Sequence, residues 1–254
     1  MKISGQGQPL VLLHSSMSSH RQWLALTDQL AATHRCYLPD LAGYGAKPLP
    51  EVGIWSLAAE AELLLAALPE AVRMQPLDVV GHSYGGALAL HLARTHKLQV
   101  RKLVLFEPVA FHLLPQLPDA RALWQEVRDL ADALPALSPP QAAARFIDYW
   151  QHQGFFAGLP ARMQQQLAVQ VAKVTLDFQA LSQEQASLAD YADAVQCPVL
   201  LLSGSHSRQS AQRISAALQS VLPDVRLQRL ECGHMGPVTH PDLVNKSVAD
   251  FLQA

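Results

Sequence analysis

Short apolar runs bounded by turn residues alternate with segments of helical spacing along most of this chain, and no other feature restricts its fold as much. Runs of this kind fit strands buried on both faces, and the intervening helical pattern supplies crossovers between parallel neighbours. Leu10–Leu13, Cys36–Leu38, Leu77–Val80, Lys102–Phe106, Val199–Leu202 and Arg226–Leu230 read as strands. Trp23–Ala32, Ser56–Leu68, Ala87–Thr95, Ala211–Val221 and Pro241–Leu252 carry helical spacing of Leu, Ala and Val. The expected class is α/β, with a mostly parallel sheet flanked by helices.

The rhythm breaks between Val109 and Ala194, where Ala, Leu and Gln dominate, Pro punctuates, and no strand is evident. This reads as a helical insertion with helices over Ala120–Ala133, Pro140–Gln151 and Ala161–Leu181. The expected division is a core of residues 1–108 and 195–254, with a helical cap over residues 109–194. Most of the insertion's aromatics serve packing between its helices. Phe111, Trp150 and Phe155 are the candidates to line a substrate pocket.

At 254 residues the chain suits one large domain with an embellishment. Half of its residues are hydrophobic and 16% are charged, so it must bury a core. A net charge of −2, with Lys and Arg scattered singly, gives no footprint for nucleic acid or anionic lipid. A small molecule is the expected partner, and oligomeric state is not legible. Cys36, Cys197 and Cys232 are odd in number and far apart, which speaks against a disulfide framework and for a reducing compartment. The N-terminal apolar run Pro9–Leu13 is too short for a signal core or membrane span, so the expected location is cytoplasmic.

The strongest local signal is Gly81-His82-Ser83-Tyr84-Gly85, set between a strand and a helix. A serine on such a sharp turn is held in a strained conformation that exposes its hydroxyl, and the flanking glycines clear space for strand and helix to pass closely. With Leu12-Leu13-His14, Pro39-Asp40-Leu41-Ala42-Gly43-Tyr44-Gly45, Gly233-His234-Met235 and His240-Pro241, all in matching order, the chain resembles the α/β-hydrolase superfamily from about Gln8 to Leu252. Members usually begin with an extra hairpin. This chain starts too late to hold all of it, so a shortened sheet edge is expected, with Gly5-x-Gly7 as a loop remnant.

The resemblance implies Ser83 as nucleophile and His234 as its base, since a serine hydroxyl needs a partner that takes and later returns its proton. The other histidines lack supporting pattern; His82 is expected to point away from the site, and His240 only precedes a helix-starting proline. The resemblance also places oxyanion donors on the backbone N–H groups of Ser16 and Tyr84. Ser15 stands where relatives have Gly, which raises the question of that loop's geometry. Asp40 is read as a brace for the Gly-rich loop after it.

The acid of the triad is less conventional. Most relatives carry an Asp after the next-to-last strand, but here that loop, Leu202-Ser203-Gly204-Ser205-His206-Ser207-Arg208, has no carboxylate. Asp190, Asp193 and Asp224 belong at the opposite end of the sheet. Glu107, directly after the strand Lys102–Phe106, should emerge at the end where the site forms, and some relatives place the acid there.

No sequence motif calls for a cofactor or metal. The expected activity is that of a carboxylesterase-like serine hydrolase, cleaving a small, largely apolar ester or related carbonyl compound through an acyl-enzyme. Carbon–carbon bond hydrolase, lactonase and thioesterase chemistry on the same triad are alternatives, as is a non-catalytic ligand-binding role. Dehalogenase and epoxide hydrolase relatives use Asp at the position of Ser83.

Overall fold

The structure, a computed structural model, describes every residue except 50, 52 and 53. Seven strands form one sheet: β1 Lys2–Ser4, β2 Gln8–Leu13, β3 His34–Leu38, β4 Leu77–His82, β5 Val100–Phe106, β6 Val199–Gly204 and β7 Val225–Leu230. Their order is β1-β3-β2-β4-β5-β6-β7. Only β1 runs antiparallel, against β3. The shortened edge is therefore a single strand of three residues, which the sequence reading missed because so short an exposed segment has no apolar pattern. Gly5 and Gly7, at φ +79° and +100°, carry the chain from it into β2, where any β-carbon would collide with the backbone of His34 or Thr33.

Alternation along each strand sends side chains to two cores. Leu10 and Leu12 of β2 join Val80, Val104, Leu200 and Leu202 beneath α1 (Leu24–Leu30) and α11 (Pro241–Gln253). Val11 and Leu13 face the other way, with Val79, Leu103, Leu105 and Leu201, against α2 (Leu57–Ala67), α4 (Tyr84–Arg94) and α9 (Gln209–Gln219). The short helix α3 (Glu70–Arg73) precedes β4, and α10 (Gly236–Thr239) precedes α11.

Between β5 and β6 the chain is helical among the described residues. It runs through a 3-10 turn at Phe111–Gln116, then α5 (Arg121–Ala133), α6 (Pro139–Trp150), α7 (Ala161–Gln183) and α8 (Leu188–Ala194). Ser138 and Gln141 form a capping box at the start of α6, with Pro139 in the first turn, where its missing N–H costs nothing. α6 and α7 pack on each other and lay Phe146, Trp150, Val174, Phe178 and Leu181 over the C-terminal edge of the sheet. No helix is long and apolar enough to cross a membrane among the described residues.

Candidate active site

Ser83 caps the N-terminus of α4 at φ 55°, ψ −119°, a region costly for a residue with a β-carbon. Close packing holds it there. A β-carbon on Gly81 would strike the backbone of Gly85 and Gly86, and one on Gly85 would strike the carbonyls of Leu13 and His14. The Ser83 N–H donates to Phe106 O at 3.0 Å, and its carbonyl accepts from Ala87 N at 2.9 Å, so the turn is tied to both β5 and α4.

His234 lies in the loop after β7 and is buried. Its Nε2 is 2.9 Å from Ser83 Oγ, and its Nδ1 is 2.6 Å from Glu107 Oε2. With Nδ1–H donating to the carboxylate, Nε2 is left to accept the serine proton. Glu107 is fully buried, at φ 43°. Its Oε1 accepts from Gly204 N at 2.8 Å and Ser203 Oγ at 3.0 Å. The end of β6, the usual home of the acid, here supplies the donors that hold a carboxylate arriving from β5. Asp190 instead caps α8 through Ser187, and Asp224 O pairs with Val199 N at the start of β6, the opposite edge.

Ser16 and Tyr84 flank Ser83, and among the described residues neither amide donates to a backbone carbonyl. Ser15 does not occupy a left-handed conformation; Met17 does, at φ 55°. The Ser15 N–H and hydroxyl both donate to Gln22 Oε1, at 3.2 and 3.1 Å, which shows how a serine is accommodated where relatives have glycine. His14 braces the same loop, with Nδ1 2.7 Å from Ser15 O and Nε2 accepting from Leu41 N at 2.9 Å. Burial lowers its pKa to about 4, keeping it neutral. Asp40 holds the loop after β3 by accepting from the amides of His20 at 2.7 Å and Ala46 at 3.2 Å.

The cavity above Ser83 is lined by Ser16, Val109, Phe111, Phe146, Trp150, Val174, Asp177, Phe178 and Leu181. It holds about 10 Å³, at the threshold for a single water, so a substrate requires the overlying side chains to move. Trp150 stacks on the His234 ring, with centroids 3.7 Å apart and planes at 21°. Phe111 stacks between Trp150 and Phe178. Phe155 does not reach this cavity. It follows the Gly154 turn, beyond α6, and packs edge-on against His152.

Two features escaped the sequence reading. His82 does not point away: its Nε2 lies 2.8 Å from the His234 carbonyl oxygen and donates to it, while burial and the neighbouring His234 hold its pKa well below the usual histidine value. It therefore supports the His234 loop as a neutral ring. The second is a buried polar cluster of Glu60, Lys173 and Asp177, with Asp177 on the cavity wall. Its sequence signal was a Lys–Asp pair four residues apart on the face of α7 that also bears Val174, Phe178 and Leu181.

The chain matches the alpha/beta hydrolase family over residues 10–247. It is 28% identical to a 2-hydroxymuconate semialdehyde hydrolase of Pseudomonas putida, covering 98% of this chain and 88% of that protein. It is 31% identical to a pimeloyl-[acyl-carrier protein] methyl ester esterase of Aromatoleum aromaticum, covering 92% and 93%. A solved hydrolase from Pseudomonas aeruginosa PA01 superposes with a TM-score of 0.78 at 24% identity, over all of this chain and 93% of that one, and supports the fold. Over nearly its whole length, then, the chain belongs to the alpha/beta hydrolase family, and its curated relatives are hydrolases.

Proposed function

We propose that this protein hydrolyses a small, uncharged, largely apolar carboxylic ester through an acyl-enzyme on Ser83, with residues 109–194 acting as a cap that selects the substrate. The observation that carries this reading is the continuous chain Ser83–His234–Glu107 beneath a cavity whose wall is mostly aromatic and aliphatic. In this reading the Ser83 hydroxyl passes its proton to His234 Nε2 as Oγ attacks the ester carbonyl. The oxyanion is met by the N–H groups of Ser16 and Tyr84. Collapse expels the alkoxide, which takes the proton from His234, and a water activated by the same nitrogen then releases the acid. Glu107 keeps Nδ1 protonated throughout and stabilises the transient imidazolium. The indole face of Trp150 adds a cation–π contribution while excluding water.

A second reading, carbon–carbon bond hydrolysis, is favoured by the similarity to the 2-hydroxymuconate semialdehyde hydrolase. Two features of the wall weigh toward the ester. No Lys or Arg is among the cavity-lining residues, and the nearest cation, Lys173, is engaged by Glu60 and Asp177. A carboxylate-bearing substrate would meet Asp177 with no positive partner.

The test is a matched panel: p-nitrophenyl esters of acetate to hexanoate, their ω-carboxyl counterparts, a δ-lactone and a vinylogous diketone bearing a carboxylate. The neutral esters should exceed the ω-carboxyl ones by at least about 10²-fold in kcat/KM. Faster turnover of the vinylogous diketone than of any ester would establish the second reading. A fluorophosphonate that fails to label Ser83 would favour a ligand-binding role.

A further inference from the structure

The Glu60–Lys173–Asp177 cluster has an unusual reach. Lys173 Nζ donates to Glu60 Oε2 at 3.0 Å and to Asp177 Oδ1, and lies 5.1, 5.2 and 4.5 Å from the ring centroids of Tyr44, Trp55 and Tyr84. Asp177 Oδ2 accepts from Ser16 Oγ at 2.6 Å and Tyr44 OH at 2.5 Å. Glu60 Oε2 accepts from Tyr84 OH at 3.2 Å, and Oε1 accepts from Ala42 N at 2.9 Å. The residues come from α2, the loop after β3, the first turn of α4, the loop after β2 and α7.

Buried ion pairs contribute little net stability, because desolvation offsets the attraction between the charges. Two carboxylates around one ammonium, all buried, are a poor device for simple cohesion. What distinguishes this cluster is its pair of end points: the side chains of Ser16 and Tyr84, the same residues whose amides flank Ser83. An oxyanion hole works by holding its donors in place before charge develops, and sub-ångström displacement of either donor forfeits that advantage.

We propose that Asp177 is a positioning residue for the oxyanion hole: from α7 it grips the Ser16 side chain directly and, through Lys173 and Glu60, fixes Tyr84. The inference rests on the acyl-enzyme reading above. It makes the helix that covers the substrate also the element that sets the oxyanion donors, so correct seating of that helix and full electrophilic activation of the carbonyl occur together. The Ser16 hydroxyl has no part in the chemistry otherwise, because only its amide faces the reaction.

The test deletes single hydroxyls. Ser16→Ala keeps the amide but loses the bond to Asp177, and Tyr44→Phe removes the other donor to the same carboxylate oxygen. The second variant carries the test if the first is too unstable to assay. Each is compared with wild type for kcat and KM on the best neutral ester and for inhibition by an alkyl trifluoromethyl ketone, whose serine adduct bears the oxyanion. A charge-assisted hydrogen bond lost at this point should lower kcat about tenfold with KM within about twofold, and raise the ketone inhibition constant by the same factor. Ser16→Thr, which restores the hydroxyl, should recover most of the loss. The proposal is overturned if kcat and ketone affinity stay within about twofold of wild type, or if only KM changes. Fluorophosphonate labelling of the wild type separates the two failures. Labelled wild type with unaffected variants sinks the positioning role alone, whereas unlabelled wild type sinks the acyl-enzyme reading beneath it.

Discussion

Replacing Glu107 by Gln probes the least conventional part of the proposed triad with almost no change in shape. The fully buried carboxylate has two tasks in the structure: Oε1 accepts from Gly204 N and Ser203 Oγ, and Oε2 accepts the Nδ1–H of His234. A glutamine amide oxygen satisfies the first task, and its NH2 group then faces Nδ1. Two donors cannot share that 2.6 Å contact, so His234 must carry its proton on Nε2, where it donates to Ser83 Oγ instead of accepting from it. The serine loses its base while the loop keeps its bonds. Loss of the correct tautomer and of imidazolium stabilisation together should slow kcat by roughly 10²- to 10⁴-fold, about 2.7 to 5.4 kcal/mol in barrier. Steady-state turnover of a p-nitrophenyl ester measures it, with circular dichroism and a melting curve to show that the fold survives. Glu107→Gln enzyme within about threefold of wild-type kcat would refute the reasoning and leave a Ser–His dyad.

Trp150 covers the His234 ring and narrows the cavity, so Trp150→Ala should raise kcat/KM for hexanoate over acetate esters by about tenfold or more, at a stability cost of about 3–5 kcal/mol; an unchanged chain-length ratio would remove Trp150 from the substrate's path. Acid should weaken the fold in two stages. His14 and His112, held to pKa values of about 4 chiefly by burial, contribute stability that is whole above pH 6.5 and falls as pH drops toward 4, at most about 2 kcal/mol each by pH 5. For Glu184, burial opposes ionisation but is outweighed by the hydrogen bond and charge of His91 and the charge of Arg94, which bring its pKa to about 2. Its contribution, roughly 2 kcal/mol after screening, is complete above about pH 4.5 and disappears below it. Urea unfolding from pH 7.5 to 3.5 reads both stages, and a midpoint that does not move between pH 7 and 5 would contradict the first.

The sheet was legible because its inner strands are short branched runs with turns at both ends, a pattern that few alternatives satisfy. α4 was harder. Gly85 and Gly86 lower helix propensity in its first turn, so the sequence points to a start near Ala87, whereas close packing against β2 and Pro108 lets the helix begin at Tyr84. α8, seven residues long with Asp190 and Asp193 on it, carries too little apolar periodicity to stand out. At the candidate site, the absence of any acid between Ser203 and Arg208 directed attention to Glu107, an inference by elimination that needs only strand order. Which aromatics face the cavity could not be read in that way. Phe155 is as aromatic as Phe146 or Phe178, and only the Gly154 turn, at φ 84°, carries it away. Lys173 and Asp177 look like an ordinary surface pair until the face they occupy is known to be buried, because a helix pattern does not say what covers it.

The central claim, that Ser83 is the nucleophile activated by His234, is tested most directly by treating the protein with a fluorophosphonate and mapping the adduct by peptide mass. The account predicts a stoichiometric adduct on the peptide containing Ser83. It should be absent in Ser83→Ala and slowed in His234→Ala, with ester turnover lost in step. Labelling at another residue, or Ser83→Ala retaining more than about a tenth of wild-type turnover, would contradict it.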